Sequence, residues 1–106
     1  MLNGLKFEAH ELLFIASDQN YVSIHYTRNG KKDRKHCRIT LKKVEALLEK
    51  YPTIVKCHKS FIVNTSKVIK SHGNSENFTL SLTGCTEKIP VSRNYFHRLK
   101  DQLPLN

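Results

Sequence analysis

Residues 21–27 alternate, with Val22, Ile24 and Tyr26 on one side and Tyr21, Ser23, His25 and Thr27 on the other. A period of two marks a half-buried strand. Asn29-Gly30 follows, a strong short turn signal, and the charged stretch behind it predicts a longer hairpin loop. The return strand is expected at residues 35–40, with Cys37 and Ile39 inward and His36 and Arg38 outward. A helix comes next. Thr40 suits its N-cap, Leu41, Val44, Leu47 and Leu48 fall on one face, and Pro52 stops it.

Beyond the helix, residues 54–57 and 61–64 read as strands flanking the polar triplet His58-Lys59-Ser60. Residues 68–71 form another short strand, and His72-Gly73-Asn74-Ser75 reads as a turn. Phe78, Leu80 and Leu82 then alternate with Thr79, Ser81 and Thr83. Thr83-Gly84 turns the chain into residues 87–91, where Pro90 cannot donate to a ladder and favours a sheet edge. Ser92 is placed to cap a closing helix that buries Phe96, Leu99 and Leu103. Many short strands, one helix in the middle and one at the end make the class mainly β.

The 106 residues suit one domain spanning 1–106. No window approaches the ~18 apolar residues a membrane span needs. Glu8, His10 and Glu11 interrupt any signal core, so a cytoplasmic setting is expected. Cys37, Cys57 and Cys85 make an odd count with no close pair, which fits a reducing compartment. His36-Cys37 and Cys57-His58 place soft ligands side by side, but adjacent strand residues point to opposite faces, so no metal site is expected.

Charge changes the picture most. Eighteen Lys and Arg against nine Asp and Glu give a formal charge of +9. Arg28, Lys31, Lys32, Arg34, Lys35, Arg38, Lys42 and Lys43 crowd one stretch, relieved only by Asp33. Such an excess suggests a polyanionic partner, with DNA, RNA or an anionic membrane as candidates, or else a merely solvated hairpin tip. Catalysis is not expected: there is no GxSxG, Walker-type loop, HExxH or Gly-rich nucleotide fingerprint, and no spaced carboxylate pair. Neither a cofactor nor a small-molecule substrate is called for.

Three polar connections remain. Val55-Lys56-Cys57-His58-Lys59-Ser60-Phe61-Ile62-Val63-Asn64 sets an imidazole, an ammonium and a hydroxyl between apolar residues. These groups suit phosphate oxygens or base edges, or equally the local backbone. In Val91-Ser92-Arg93-Asn94-Tyr95, Arg93 offers a fork to guanine and Asn94 a pairing with adenine, or both simply flank a helix start. Ser17-Asp18-Gln19-Asn20-Tyr21 is a reading loop or an ordinary turn.

Together these segments resemble the LytTR family of DNA-binding domains. Leu12-Leu13-Phe14-Ile15-Ala16-Ser17 followed by Asp18-Gln19-Asn20-Tyr21-Val22 is similar to the family's opening signature. Residues 56–64 match its Arg-x-His-Arg/Lys-Ser-Phe/Tyr-x-Val-Asn block, with Lys56 where Arg is usual. Pro90-Val91-Ser92-Arg93 matches its closing block. The resemblance covers about residues 12–103. It implies an elongated stack of small antiparallel sheets with one central helix and a short C-terminal helix. It also implies a transcription-regulator output domain that inserts loops into successive major grooves of double-stranded DNA. Family members bind direct repeats, usually as dimers, and often follow a phosphorylatable receiver or a membrane sensor. The chain is therefore expected to be the C-terminal part of a longer regulator. By position, Asn20, Tyr21, Ser23 and Arg93 are expected to contact bases. Lys56, His58, Lys59, Ser60, Lys31, Lys32, Arg34 and Asn94 are expected to contact the DNA backbone. Asn64 is expected to hold the loop through side-chain hydrogen bonds. Two rivals stand: a barrel-type module for RNA or single strands, which would need stacking aromatics, and a protein-interaction module whose charge serves solubility.

Overall fold

Four consecutive apolar residues, Leu12-Leu13-Phe14-Ile15, are all buried, and this run is the axis of the molecule. A strand hydrophobic at every position must be covered on both faces. The computed structural model describes residues 8–103, and in it this run belongs to β1 (Leu12–Asp18) at the centre of a five-stranded antiparallel sheet. Beside it lie β2 (Tyr21–Arg28) and β3 (Lys31–Cys37) on one side. On the other lie β5 (Phe61–Asn64) and the edge strand β4 (Ile54–His58). A second sheet holds β6 (Val68–Asn74), β7 (Asn77–Leu82) and β8 (Lys88–Val91) in chain order. Two seven-residue helices, α1 (Leu41–Leu47) and α2 (Arg93–Leu99), complete the frame, so the molecule is mainly β as expected.

The register of β1 shifts between Leu12 and Phe14. In an unbroken strand Leu13 and Ile15 would share a face. The bulge instead sends Leu12 and Ile15 into one core and Leu13 and Phe14 into the other. The first core joins Val22, Ile24, Tyr26 and Ile62 to Leu41, Val44 and Leu48 from α1 and its end. The second joins Cys57 and Val63 to Phe78, Leu80, Leu82, Ile89 and Val91 of the small sheet and to Leu99 and Leu103. Helices of seven residues are too short to persist alone. Docking therefore holds them, at about 2–5 kcal/mol for each buried Leu.

Several local expectations need correction. Asn29-Gly30 forms a two-residue hairpin with φ of 53° and 76°, and Arg28 pairs directly with Lys31. No long loop follows. The return strand runs over Lys31–Cys37, so the basic stretch is an edge strand whose cations discourage a further strand from pairing. Cys37 is half-buried against the first core, whereas Cys57 is fully buried in the second. Thr40 caps α1 by accepting the Lys43 N–H at 3.2 Å, but Leu47 points outward and is 52% exposed. The expected turn at His72-Gly73-Asn74-Ser75 is displaced, because β6 continues to Asn74 and the chain reverses at Ser75-Glu76. Ser92 precedes α2 without a side-chain cap bond. Pro90 lies in the edge strand β8, where its missing N–H costs nothing.

Candidate nucleic-acid interface

Strand direction decides which connections meet. β1 ends, and β2 begins, at the turn Gln19-Asn20, where Gln19 takes a φ of 57°. β4 and β5 are joined by Lys59-Ser60, and the Ser17 N–H donates to the Ser60 carbonyl at 2.9 Å. β8 of the small sheet arrives beside β4, where the Ser92 N–H donates to the Cys57 carbonyl at 2.9 Å. These two backbone bonds fasten three connections at one end of the molecule. They are the three polar segments singled out in the sequence.

From this end Asn20, Tyr21, Lys59, Arg93 and Asn94 project as exposed side chains. The remaining candidates sit differently. Ser23 lies within β2, half-buried, with its Oγ 3.5 Å from the Ala16 carbonyl and 3.2 Å from His25 Nε2. His58 is committed locally: its Nδ1 accepts the Ser60 N–H at 3.1 Å and its ring meets Phe61 edge-on at 5.6 Å. Burial and then the Lys59 ammonium hold its pKa below the usual histidine value, which keeps Nδ1 an acceptor. Ser60 is half-buried, with its backbone N–H and carbonyl both used within the loop cluster. Lys56 lies back along β4 in a groove that also contains Glu45, Glu49 and Arg98.

The basic hairpin does not join this cluster. Lys31 flanks the Asn29-Gly30 turn at the opposite end of β2. At ~3.4 Å per residue that turn stands roughly 24 Å from Tyr21. Lys32 is paired with Glu87, ahead of β8, which ties the hairpin to the segment leading into the small sheet. Arg34 lies opposite His25, midway along the strand pair. Asn64 also needs a correction. It is the architectural residue expected, but it acts at the far end of β5. Its Nδ2 donates to the Leu12 carbonyl at 2.9 Å, and its Oδ1 accepts from Ser66.

Three groups near the turns escaped the motif reading. Arg38 lies over the Tyr21 ring at 6.0 Å. With Lys43, Thr40, Gln19 and Asn20 it lines an open groove of about 540 Å³. Glu76, in the turn between β6 and β7, places its carboxylate 4.0 Å from Arg93. The run of cations around Arg38 and Lys43 was visible in the sequence. Their position beside the first turn required the hairpin register.

Two buried groups belong to the frame. His25 stacks on Phe14 with ring centroids 4.1 Å apart. Burial, only partly opposed by Glu87, lowers its pKa, and Lys32, Arg34 and His36 act the same way as burial. Burial pushes the Cys57 thiol up to about 12. Among the described residues no three His, Cys, Asp or Glu side chains cluster as metal ligands would, and no helix is long and apolar enough to cross a membrane.

No curated protein matches the chain. Among solved structures, a similar one is matched over 92% of this chain and 85% of its own length, with a TM-score of 0.77 and 19% identity. It is a LytTr DNA-binding domain from a protein described as a methyl-accepting/DNA response regulator of Bacillus cereus. At that identity the likeness is one of fold. The family model of the LytTr DNA-binding domain matches residues 4–104, almost the whole sequence. The chain therefore belongs to the LytTr DNA-binding domain family.

Proposed function

We propose that this domain binds duplex DNA sequence-specifically as the output module of a cytoplasmic transcription regulator, presenting its strand connections to successive major grooves. The observation that carries the reading is the fastening of three connections at one end, with Lys59 and Arg93 both exposed there. Arg93 and the Gln19-Asn20 turn read bases. Lys59, with support from Arg38 and Lys43, engages phosphates. Phosphate contacts set the register, and base contacts set the preference. Lys31, Lys32 and Arg34 lie along the β3 edge, where they serve long-range attraction of the polyanion better than contacts at the turns. Two copies on a direct repeat, controlled by a receiver or sensor domain elsewhere in a longer chain, complete the proposal.

Tyr21 is the one exposed aromatic residue among the described residues, which supports duplex over single-strand recognition. The test begins by selecting bound sites from a random duplex pool. Anisotropy titrations on the selected and scrambled duplexes then follow between 50 and 200 mM salt. Six to ten phosphate contacts should cost roughly 10³–10⁵ in affinity across that range. Arg93→Ala should lose about 1–3 kcal/mol on the selected duplex alone, and Lys59→Ala should weaken both duplexes. Equal losses on both duplexes for Arg93→Ala would remove Arg93 as a base reader.

A further inference from the structure

Glu76 is a carboxylate on the very surface that is to meet a polyanion. Its position is not accidental to the backbone. Asn74 Oδ1 accepts the N–H of Glu76 at 3.0 Å and of Asn77 at 3.2 Å, which fixes the turn. Gly73 makes the reversal possible. Its φ is +98°, and a Cβ there would stand 1.8 Å from the Asn77 carbonyl oxygen. The turn so held sets Glu76 Oε1 4.0 Å from Arg93 Nη1, with both side chains about three-quarters exposed. An ion pair this exposed contributes ~0–1 kcal/mol to folding. Stability is therefore a weak reason for an acid beside the guanidinium.

Recognition is a better one. In the major groove a G·C pair shows two acceptors, guanine N7 and O6, next to one donor, the cytosine N4 amino group. A guanidinium beside a carboxylate is the complement of that edge: the fork donates to guanine and the carboxylate accepts from cytosine. O6 and N4 lie about 3 Å apart, as hydrogen-bonded atoms do, so a pair of side chains separated by 4.0 Å can span them. An A·T pair reverses the match. The guanidinium then meets the adenine N6 amino group and the carboxylate meets thymine O4, so donor faces donor and acceptor faces acceptor. A phosphate near Arg93 would likewise meet the carboxylate charge. We propose that Glu76 is a specificity-determining residue that reads a G·C pair together with Arg93 and penalises other partners of that guanidinium. The proposal rests on Arg93 being a base reader.

The experiment compares wild type, Glu76→Gln and Arg93→Ala by selection from a random duplex pool, followed by titration on the best duplex, its single-pair variants and a scrambled duplex. Arg93→Ala should lose its preference for guanine at one position. Glu76→Gln should lose at least about 5-fold of the discrimination at that same base pair, the lower end for a good base contact. It should also bind the scrambled duplex more tightly. Removing one repelling charge, equivalent to one counterion, makes that gain shrink roughly 3-fold to 4-fold from 50 to 200 mM salt. Thermal melts of Glu76→Gln and wild type should overlay, which separates recognition from folding. Discrimination retained within about twofold by Glu76→Gln, with Arg93→Ala relaxed, would overturn the role of Glu76 and leave the base-reading assignment standing. An even loss across all duplexes for Arg93→Ala would overturn both.

Discussion

Asn64→Ala is the sharpest probe of how the frame is held. Asn64 is 1% exposed, at the end of β5 remote from Lys59-Ser60. Its Nδ2 donates to the Leu12 carbonyl at 2.9 Å, beside the register shift in β1, and more weakly to Ala9 at 3.5 Å. Its Oδ1 accepts from the Ser66 N–H at 3.2 Å and the Ser66 hydroxyl at 2.7 Å. Truncation removes the buried bond to Leu12, worth about 1 kcal/mol, whereas exposed Ser66 can turn to water. Truncation also leaves the Leu12 carbonyl without this donor in the interior, at about 1–3 kcal/mol. A total of about 2–4 kcal/mol follows. For a domain of this size that is a melting-point drop on the order of 10–25 °C. Urea melts followed by circular dichroism provide the measurement, with Ser66→Ala as a partner variant expected to lose no more than about 1.5 kcal/mol because Leu12 keeps its donor. Well below its melting point, Asn64→Ala should bind DNA with the wild-type salt slope, since Asn64 lies a strand-length from the turns. A loss under 1 kcal/mol would refute the anchoring account. So would a fully stable variant that fails on DNA.

The remaining predictions concern backbone, charge and thiol. Gly73→Ala should cost clearly more than Gly30→Ala in the same urea assay. Both residues have positive φ, but a Cβ at Gly30 meets open space and one at Gly73 meets the Asn77 carbonyl at 1.8 Å; the Gly30 change should stay within about 1–2 kcal/mol. Glu87 is held at a pKa of about 2, below the ordinary 4.5, by its bond to Lys32 and then by the Cys85 thiol. A depressed carboxylate stabilises the fold above its unfolded pKa, and that contribution disappears as pH falls through the folded value. The stability difference between wild type and Glu87→Gln should therefore be constant at pH 6–7 and vanish from about pH 4.5 down to 2. Because the side chain is 44% exposed, the difference should not exceed ~1 kcal/mol. Persistence of the gap at pH 2 would disprove the pairing. Cys57, buried and pushed up to about 12, should resist thiol reagents at pH 8 until the protein unfolds, whereas half-buried Cys37 reacts in the native state. Labelling of native Cys57 at the rate of Cys37 would contradict its burial.

What was legible in the sequence follows from how each strand is covered. β2 and β7 alternate because one face of each is buried more completely than the other, and their positions were readable to within a residue. β3 begins four residues, and ends three residues, before the expected strand. Lys31 to His36 are exposed on both faces, so the stretch carries no period-2 signal, and the cations that suit an edge strand have the composition of a loop. The end of β6 misled for a related reason: His72-Gly73-Asn74 is polar edge strand, and its glycine serves the turn that follows. Leu47 fits the helical face in sequence, yet α1 is so short that Leu41, Val44 and Leu48 fill its contact. Among the candidate residues, Asn20, Lys59 and Arg93 stand out in the sequence because each sits within a segment with its own signature. Arg38 and Glu76 were not. Each matters through a neighbour distant in sequence: Tyr21 for the first and Arg93 for the second.

The placement of the turns also gives both cores a part in the proposed reading surface. The Gln19-Asn20 and Lys59-Ser60 turns spring from the large sheet, whereas Arg93 follows β8 of the small one. Their relative position depends on the second core, where Leu13, Phe14, Cys57 and Val63 meet Phe78, Leu80, Ile89 and Leu99. Two-residue turns on strands have little freedom to lose, so a rigid junction between the sheets lowers the ordering cost of binding. On the proposed function, the same rigidity makes specificity sensitive to packing. A cavity opened in the second core shifts Arg93 relative to Lys59 and should erode base discrimination. One opened beneath α1, in the first core, lowers stability while leaving the Ser92–Cys57 and Ser17–Ser60 backbone bonds that align the three turns in place.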